Sequence, residues 1–285
     1  MWNGDTQRSS LEGLKDTRVQ KRGAEHRSRV RCGTVTIGEG GFTVIAGPCA
    51  VESSEQALAT AKAVERAGVK IFRGSLFKPR TSPHSFQGIG PAGIEILEAI
   101  KRETNLLLES EALSTTQLEL LVDRVDLLRV GSRSMRNFEL LKEIGKTRKP
   151  VILKRSMSAT LEEFLLAAEY ILSNGNESVI LCERGIRTFE TYTRNTLDIL
   201  AVPALKELTH LPIIVDPSHS SGRRSLVASA SKAALAAGAD GLLIEVHPRP
   251  DEALSDGCQS LDFAAFEDLM GELKRLAKAL KKTIQ

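Results

Sequence analysis

From Thr43 onward the chain repeats one unit eight times: a short run of Val, Ile and Leu, a polar loop, and a longer stretch with apolar residues at a 3.6-residue period. Few folds satisfy such a pattern. The apolar runs, expected as strands, are Thr43–Ala46, Val69–Phe72, Leu106–Leu108, Leu127–Val130, Val151–Leu153, Val179–Leu181, Pro212–Val215 and Gly241–Ile244. Helical stretches separate them, among them Ser54–Ala67, Gly90–Glu103, Thr160–Leu172 and Leu226–Ala237. Continuously apolar strands joined by helices pair in parallel, and eight repeats of about 30 residues suit closure better than an open sheet. The expected class is α/β, a (β/α)8 TIM barrel. An open doubly wound sheet is the alternative; it normally carries a Gly-rich dinucleotide turn after its first strand, and Gly47-Pro48-Cys49 is not one.

A chain of 285 residues, 41% hydrophobic, suits one such barrel, which commonly needs about 250 residues. Residues 30–285 are expected to form it, with Val30 to Ile37 running through Gly38-Glu39-Gly40-Gly41 into the first core strand as a hairpin that plugs one barrel end. Residues 1–29 hold seven Lys/Arg against four Asp/Glu, which accounts for the formal charge of +3. They read as a charged, partly mobile tail with a helix near Ser9 to Val19, too short for a domain of its own. Aromatics at 4% and a balanced charge over the remainder argue against nucleic acid. Neither an apolar signal segment nor a run of about 18 apolar residues occurs, so a cytoplasmic protein without membrane contact is expected. Cys32, Cys49, Cys182 and Cys258 are far apart and form no CxxC pair, which excludes a disulfide framework and a zinc knuckle.

The residues immediately beyond each apolar run are almost entirely polar: Gly47-Pro48-Cys49, Arg73, Glu109-Ser110-Glu111, Gly131-Ser132-Arg133, Lys154-Arg155, Cys182-Glu183-Arg184, Asp216-Pro217-Ser218-His219 and Glu245-Val246-His247. In a barrel these groups converge on one mouth, where active sites of this architecture are assembled. Arg73, Lys78, Arg80, Arg133, Lys154 and Arg184 form a cationic bowl, implying substrates with several negative charges. Each charge-assisted hydrogen bond contributes about 1.5–3 kcal/mol. Within Arg73-Gly74-Ser75-Leu76-Phe77-Lys78-Pro79-Arg80-Thr81-Ser82-Pro83, two prolines stiffen the cation-bearing loop and lower its ordering cost. Cys49, His219, Glu245 and Asp256 offer a thiolate, an imidazole and two carboxylates, a set suited to a divalent transition ion; a buried cysteine and a capping aspartate are the plainer alternatives.

Several ordered motifs carry a resemblance. Gly47-Pro48-Cys49-Ala50-Val51-Glu52-Ser53, Lys78-Pro79-Arg80-Thr81-Ser82-Pro83, Ser85-Phe86-Gln87-Gly88, Asp216-Pro217-Ser218-His219 and Ile244-Glu245-Val246-His247-Pro248 are similar to 3-deoxy-D-arabino-heptulosonate-7-phosphate (DAHP) synthase, from about Val30 to Leu261. The chain resembles the short type I enzymes without an appended regulatory domain. The resemblance implies a metal-dependent condensation of phosphoenolpyruvate with erythrose 4-phosphate that opens the shikimate pathway. It places metal ligands on Cys49, His219, Glu245 and Asp256, phosphoenolpyruvate contacts on Arg73, Lys78, Arg133, Lys154 and Arg184, and the aldose phosphate on Arg80 and Thr81. Lys78 is the expected proton donor or orienting group, with Cys49 and His219 joining it in the catalytic set. Manganese is the expected ion, with iron, cobalt and zinc as alternatives, and a homo-oligomer, tetramer or dimer, is the expected assembly.

Departures from the family pattern are Arg73-Gly74-Ser75, where Arg-Gly-Gly is usual, Gly131-Ser132-Arg133-Ser134 for Gly-Ala-Arg-Asn, and Glu109 in place of a hydrophobic residue. Glu109 either weakens anion binding or pairs with a cation such as Arg129. Glu111 is a candidate to position water. The nearest alternative is 3-deoxy-manno-octulosonate-8-phosphate (KDO8P) synthase, which uses arabinose 5-phosphate, but Pro79-Arg80-Thr81 favours the four-carbon sugar. A barrel that binds phosphate ligands without chemistry is the alternative from another class. Cys258, two residues after Asp256, is expected to approach Cys49 and cross-link with it on oxidation when no ion is present.

Overall fold

All eight apolar runs become neighbours in one closed sheet. The computed structural model describes residues 12–38 and 40–285. An antiparallel hairpin, β1 (Val30–Cys32) and β2 (Val35–Ile37), precedes the parallel strands β3 (Gly41–Gly47), β4 (Ile71–Arg73), β5 (Leu107–Glu111), β6 (Leu127–Val130), β7 (Val151–Lys154), β8 (Val179–Glu183), β9 (Ile213–Val215) and β10 (Gly241–Glu245). Each pairs with the next, and β10 returns to β3 with Gly241 opposite Thr43 and Glu245 opposite Gly47, so the sheet is a (β/α)8 barrel. A short β11 (Thr283–Ile284) lies beside the start of β3, Thr283 opposite Gly41.

Helices lie between the strands and are capped locally. Ser53 accepts from Gln56 N ahead of Ser54–Arg66, and Thr160 with Glu163 forms a capping box ahead of Leu161–Ser173. The Gly90–Glu103 stretch divides into a 3-10 turn, Gly90–Ala92, and the helix Gly93–Glu103. No helix among the described residues is long and apolar enough to cross a membrane.

Two apolar clusters result from the strand alternation. Outward residues such as Val44, Leu108, Leu128, Leu153 and Ile244 pack with the helices. Inward residues Ile45, Ile71, Leu127, Ile152, Ile180, Ile214 and Leu243 meet Val30, Cys32, Val35 and Ile37 of the hairpin. The hairpin therefore fills the N-terminal end of the barrel. Its turn is at Gly33-Thr34, within Val30–Ile37, with Gly33 at φ +54°; the turn does not run through Gly38-Glu39-Gly40-Gly41, of which Glu39 lies outside the described residues.

Residues 12–29 run along this floor. Leu14 and Val19 are buried, Val19 N donates to Glu169 Oε2 at 2.8 Å, and Thr209 Oγ1 donates to Val19 O at 2.6 Å. Of the helix expected near Ser9 to Val19, the described part shows a 3-10 turn at Glu12–Leu14, and Ser9 to Leu11 fall outside the described residues.

Strands β5, β7, β8 and β10 run further toward the mouth than the apolar pattern suggests, ending on Glu111, Lys154, Glu183 and Glu245. The backbone ladder is indifferent to side-chain polarity, and opposite charges inside the barrel neutralise one another. Arg73 Nη2 lies 3.1 Å from Glu245 Oε1, and Lys154 Nζ lies 2.5 Å from Asp216 Oδ2. Arg129 Nε is 2.8 Å from Glu109 Oε1, and its Nη2 is 3.5 Å from Glu111 Oε2. The unusual Glu109 is thus the counter-charge of Arg129, both buried. Replacing Glu109 with Ala leaves a guanidinium short of its nearer carboxylate; we expect a loss of about 3–5 kcal/mol in denaturant unfolding. A loss below about 1 kcal/mol would show that Glu111 alone balances Arg129.

Candidate active site

The mouth of the barrel holds a pocket of about 320 Å³ with Lys78, Arg80, Thr81, Glu111, Arg129, Arg133, Lys154, Arg184, Arg194, His219 and Asp256 on its walls. Strand ends and the loops after them supply these groups. The loop after β4 is closed by Lys78 N donating to Gln87 O at 2.8 Å, and Gly88, at φ +97°, passes so close to the Leu76 carbonyl that a Cβ would sit 2.2 Å from its oxygen. Only glycine fits there. At Gly131 a Cβ would lie 2.0 Å from Glu111 Oε1, so the glycine leaves room for that carboxylate.

At the base of the pocket, Cys49, His219, Glu245 and Asp256 turn their donor atoms toward one another, all within 4.8 Å. Cys49 Sγ is 3.2 Å from Asp256 Oδ2, and His219 Nε2 is 3.5 Å from both Glu245 Oε1 and Asp256 Oδ2. Metal bonds of about 2.0–2.3 Å place donor atoms at comparable separations. The chemistry of the set fits a divalent ion as well: two carboxylates approach one imidazole edge, and burial, with Glu245 beside it, pushes the Cys49 thiol up to about 12, so only a strong cation would draw it into the thiolate form.

Surrounding groups hold these donors in place. Asp216 caps the short helix Pro217–Ser221 by accepting from His219 N at 2.8 Å, while its Oδ2 lies 2.8 Å from His219 Nδ1, leaving Nε2 to face the other donors. Gln259 Nε2 donates to Glu245 Oε2 at 2.6 Å, and Arg194 Nη1 donates to Gln259 Oε1 at 2.9 Å and to Asp256 Oδ1 at 3.2 Å. Asp256 itself has φ +56°, a left-handed conformation uncommon outside glycine, which aims its carboxylate into the cluster.

Lys78 spans the two layers. Its Nζ donates to Cys49 Sγ at 2.9 Å and to Cys49 O at 3.2 Å. Burial alone would lower its pKa, but Cys49, when in its thiolate form, with Glu111 outweighs this and raises it. Burial likewise works to raise Glu111, and Arg129, Lys78 and Lys154 overcome it, holding the carboxyl below its ordinary range.

Of the residues selected from sequence, Lys78, Arg80, Thr81, Arg133, Lys154, Arg184, His219 and Asp256 line the pocket. Cys49 and Glu245 lie below it, as does Arg73, which is fully buried, holds Glu245 and leaves Nε and Nη1 without a protein partner. Cys49 and Cys258 are both free thiols; Cys49 is buried, whereas Cys258 is exposed in a separate groove beside Arg194 and Arg224. Sequence reasoning missed Arg194, Gln259 and Ser255. Arg194 belongs to a loop that returns to the mouth through the Ile186–Thr196 bridge, ten residues past the strand end Arg184, whose guanidinium its neighbour Asn195 holds. Ser255 joins Arg80 Nη1 (2.9 Å) to Cys49 Sγ (3.4 Å). No offset from a strand end marks these three.

The chain is similar to several known proteins. The profile of the DAHP synthetase I family matches residues 16–282. A phospho-2-dehydro-3-deoxyheptonate aldolase of Thermotoga maritima is 53% identical over 248 residues, 87% of this chain and 73% of that protein. A 2-dehydro-3-deoxyphosphooctonate aldolase of Syntrophobacter fumaroxidans is 30% identical over 266 residues, 87% of this chain and 91% of that protein. Among solved structures, the crystal structure of the Thermotoga maritima DAHP synthase superposes with TM-score 0.91 at 48% identity, covering 94% of this chain and 78% of its own. A truncated form of the Thermotoga maritima 3-deoxy-D-arabino-heptulosonate 7-phosphate synthase gives 0.87 at 46%, covering 94% and 98%.

The four-donor cluster predicts a divided response to substitution. Cys49→Ala is expected to lower affinity for a divalent ion by more than a hundredfold in calorimetric titration with little change in melting temperature. Gln259→Ala, which frees Glu245 and removes one of the bonds holding Arg194, is expected to lower it about 10–100-fold. Equal losses in both variants would contradict the assignment of Gln259 as a support.

Proposed function

The chain belongs to the DAHP synthetase I family, and from that premise we propose that Lys78, the cationic walls and the four-donor cluster divide the work of its reaction among them. It is a transferase that condenses phosphoenolpyruvate with D-erythrose 4-phosphate and water to give 3-deoxy-D-arabino-heptulosonate 7-phosphate and phosphate, the first step of the shikimate pathway. One observation carries the division of labour: a thiol, an imidazole and two carboxylates meet at the base of a pocket walled by arginines and lysines.

Cys49, His219, Glu245 and Asp256 would hold the divalent ion, manganese by preference with iron, cobalt or zinc as alternatives. When bound, the ion supplies Lewis-acid polarisation of the aldehyde carbonyl, worth several kcal/mol. Arg80 and Thr81, on the outer wall, hold the aldose phosphate and so set the reach of the aldehyde. Arg73, Arg133, Lys154 and Arg184 hold phosphoenolpyruvate, whose carboxylate and phosphate call for several cations. As the enol carbon joins the aldehyde carbon, the Lys78 ammonium gives its proton to the aldehyde oxygen. Water, oriented by Glu111, adds at the carbon bearing the phosphate ester and gives up a proton that restores the Lys78 ammonium; the carbon–oxygen bond to phosphate then breaks, the new hydroxyl's proton leaves with the phosphate, and Arg133, Lys154 and Arg184 carry the charge.

Pro79-Arg80-Thr81 supports erythrose 4-phosphate over arabinose 5-phosphate, as does the contrast between 53% identity to the heptonate enzyme and 30% to the octonate enzyme. Residues 30–285 form the catalytic unit in this reading. A homo-oligomer, tetramer or dimer, is supported by the exposed Phe189, Tyr192 and Leu200 on the loop after β8. A cytoplasmic location suits two phosphorylated substrates, since such anions do not cross a lipid bilayer unaided.

Turnover of the metal-loaded protein with each aldose tests the substrate assignment: erythrose 4-phosphate should be used at least tenfold more efficiently, and preference for the pentose would overturn it. Lys78→Ala is expected to lower kcat by about 10²–10⁴-fold with metal content and melting temperature retained. A variant keeping more than about a tenth of the rate would remove the proton-donor role.

A further inference from the structure

At the opposite end of the barrel, independent of the reaction at the mouth, residues within 12–29 border a second, half-open pocket. It measures about 390 Å³ and is lined by Arg18, Arg22, His26, Leu172, Glu177 and His210, with Ser28 at its edge. That volume is within the range of small-molecule sites, about 300–1,000 Å³. His210 stands just before β9, so the cavity is at the N-terminal end of the strand whose other end leads into Asp216 and His219.

The hydrogen-bonding pattern leaves this cavity rich in unused donors. His210 is 8% exposed, and both ring nitrogens are engaged: Ser28 Oγ lies 2.7 Å from Nδ1 and the carbonyl oxygen of Arg18 lies 2.9 Å from Nε2. A carbonyl only accepts, so Nε2 carries the hydrogen and Nδ1 accepts from the serine. Burial, with His26 and Arg22 adding to it, lowers the pKa of His210 and keeps the ring neutral. His26 stacks on it, centroids 4.1 Å apart and planes 20° apart. The Nδ1 of His26 accepts from Arg22 N at 3.2 Å, which places the hydrogen of the neutral ring on Nε2. Among the described residues that Nε2–H has no partner, and neither has the Arg22 guanidinium. Arg18 Nη1 is 3.8 Å from Glu177 Oε1, a loose pair with both side chains largely in solvent. Glu177 is the lone carboxylate on the wall.

We propose that this cavity binds a small oxyanion, a phosphate monoester or a carboxylate, held by the guanidinium groups of Arg18 and Arg22 and by the Nε2–H of His26. The planar guanidinium forks match either oxyanion, and the His26–His210 stack with Leu172 gives an attached organic group an apolar surface.

Ring resonances of the five histidines in the full-length protein supply the test, because His26 and His210 report the floor and His219 reports the mouth. Inorganic phosphate and benzoate are titrated separately at constant ionic strength. At least one should shift His26 and His210 with saturation, and the tighter of the two identifies the phosphate or the carboxylate arm. Arg22→Ala should weaken that binding by about tenfold, the scale of one charge-assisted contact, while the His219 response to phosphate stays as in the parent. Glu177→Gln should tighten it at least twofold, a gain that loss of local structure would not produce. Linear, unsaturating shifts with both probes would mean an adventitious ion only and would overturn the proposal, as would a midpoint unchanged in Arg22→Ala.

Discussion

Charge neutralisation inside the barrel is the constraint on which the remainder depends. A closed parallel sheet of eight short strands has an interior that is normally filled by branched apolar side chains. Here the lower half obeys that rule with Ile45, Ile71, Leu127, Ile152, Ile180, Ile214 and Leu243. The upper half is built from ions: Arg73 with Glu245, Arg129 with Glu109 and Glu111, Lys154 with Asp216. Taking such groups out of water costs several kcal/mol each, and close opposite charges offset most of it. The interior pairing is what lets chemically active groups occupy a rigid framework, where loops alone would leave them loose.

The same pairs also prepare the site. Arg73 fixes Glu245, and Asp216 orients His219 through the same Oδ2 that takes Lys154. Gln259 and Arg194 do the same from above. Three of the four clustered donors, His219, Glu245 and Asp256, therefore have a partner outside the cluster, so little reorganisation would be needed if a cation arrived. Lys78 couples this cluster to the cationic walls of the pocket through its bond to Cys49.

The fold was legible because its signal is repeated and local: each apolar run needs only the 2.0 and 3.6 periods to be recognised. Strand ends were less so. Glu109, Ser110 and Glu111 read as loop because polarity hides the ladder that continues through them, and only the partner Arg129 on the adjacent strand explains their burial. Site residues anchored to strand ends, such as Lys154, Arg184, His219 and Glu245, could be chosen from position alone. Arg194, Gln259 and Ser255 could not, since they reach the centre from irregular segments whose path depends on tertiary bridges. The docking of Val19 onto Glu169 and Thr209 was equally silent, being two hydrogen bonds across 150 and 190 residues.

The hairpin Val30–Ile37 has a further bearing on how such a molecule works. By stoppering the lower end with Val30, Cys32, Val35 and Ile37, it turns the barrel into a cul-de-sac. Reactants enter and both products depart through a single doorway, and the lengthened sugar acid formed inside cannot leave by a back exit. With that end stoppered, whatever reaches the four clustered donors must first pass the cationic walls above them.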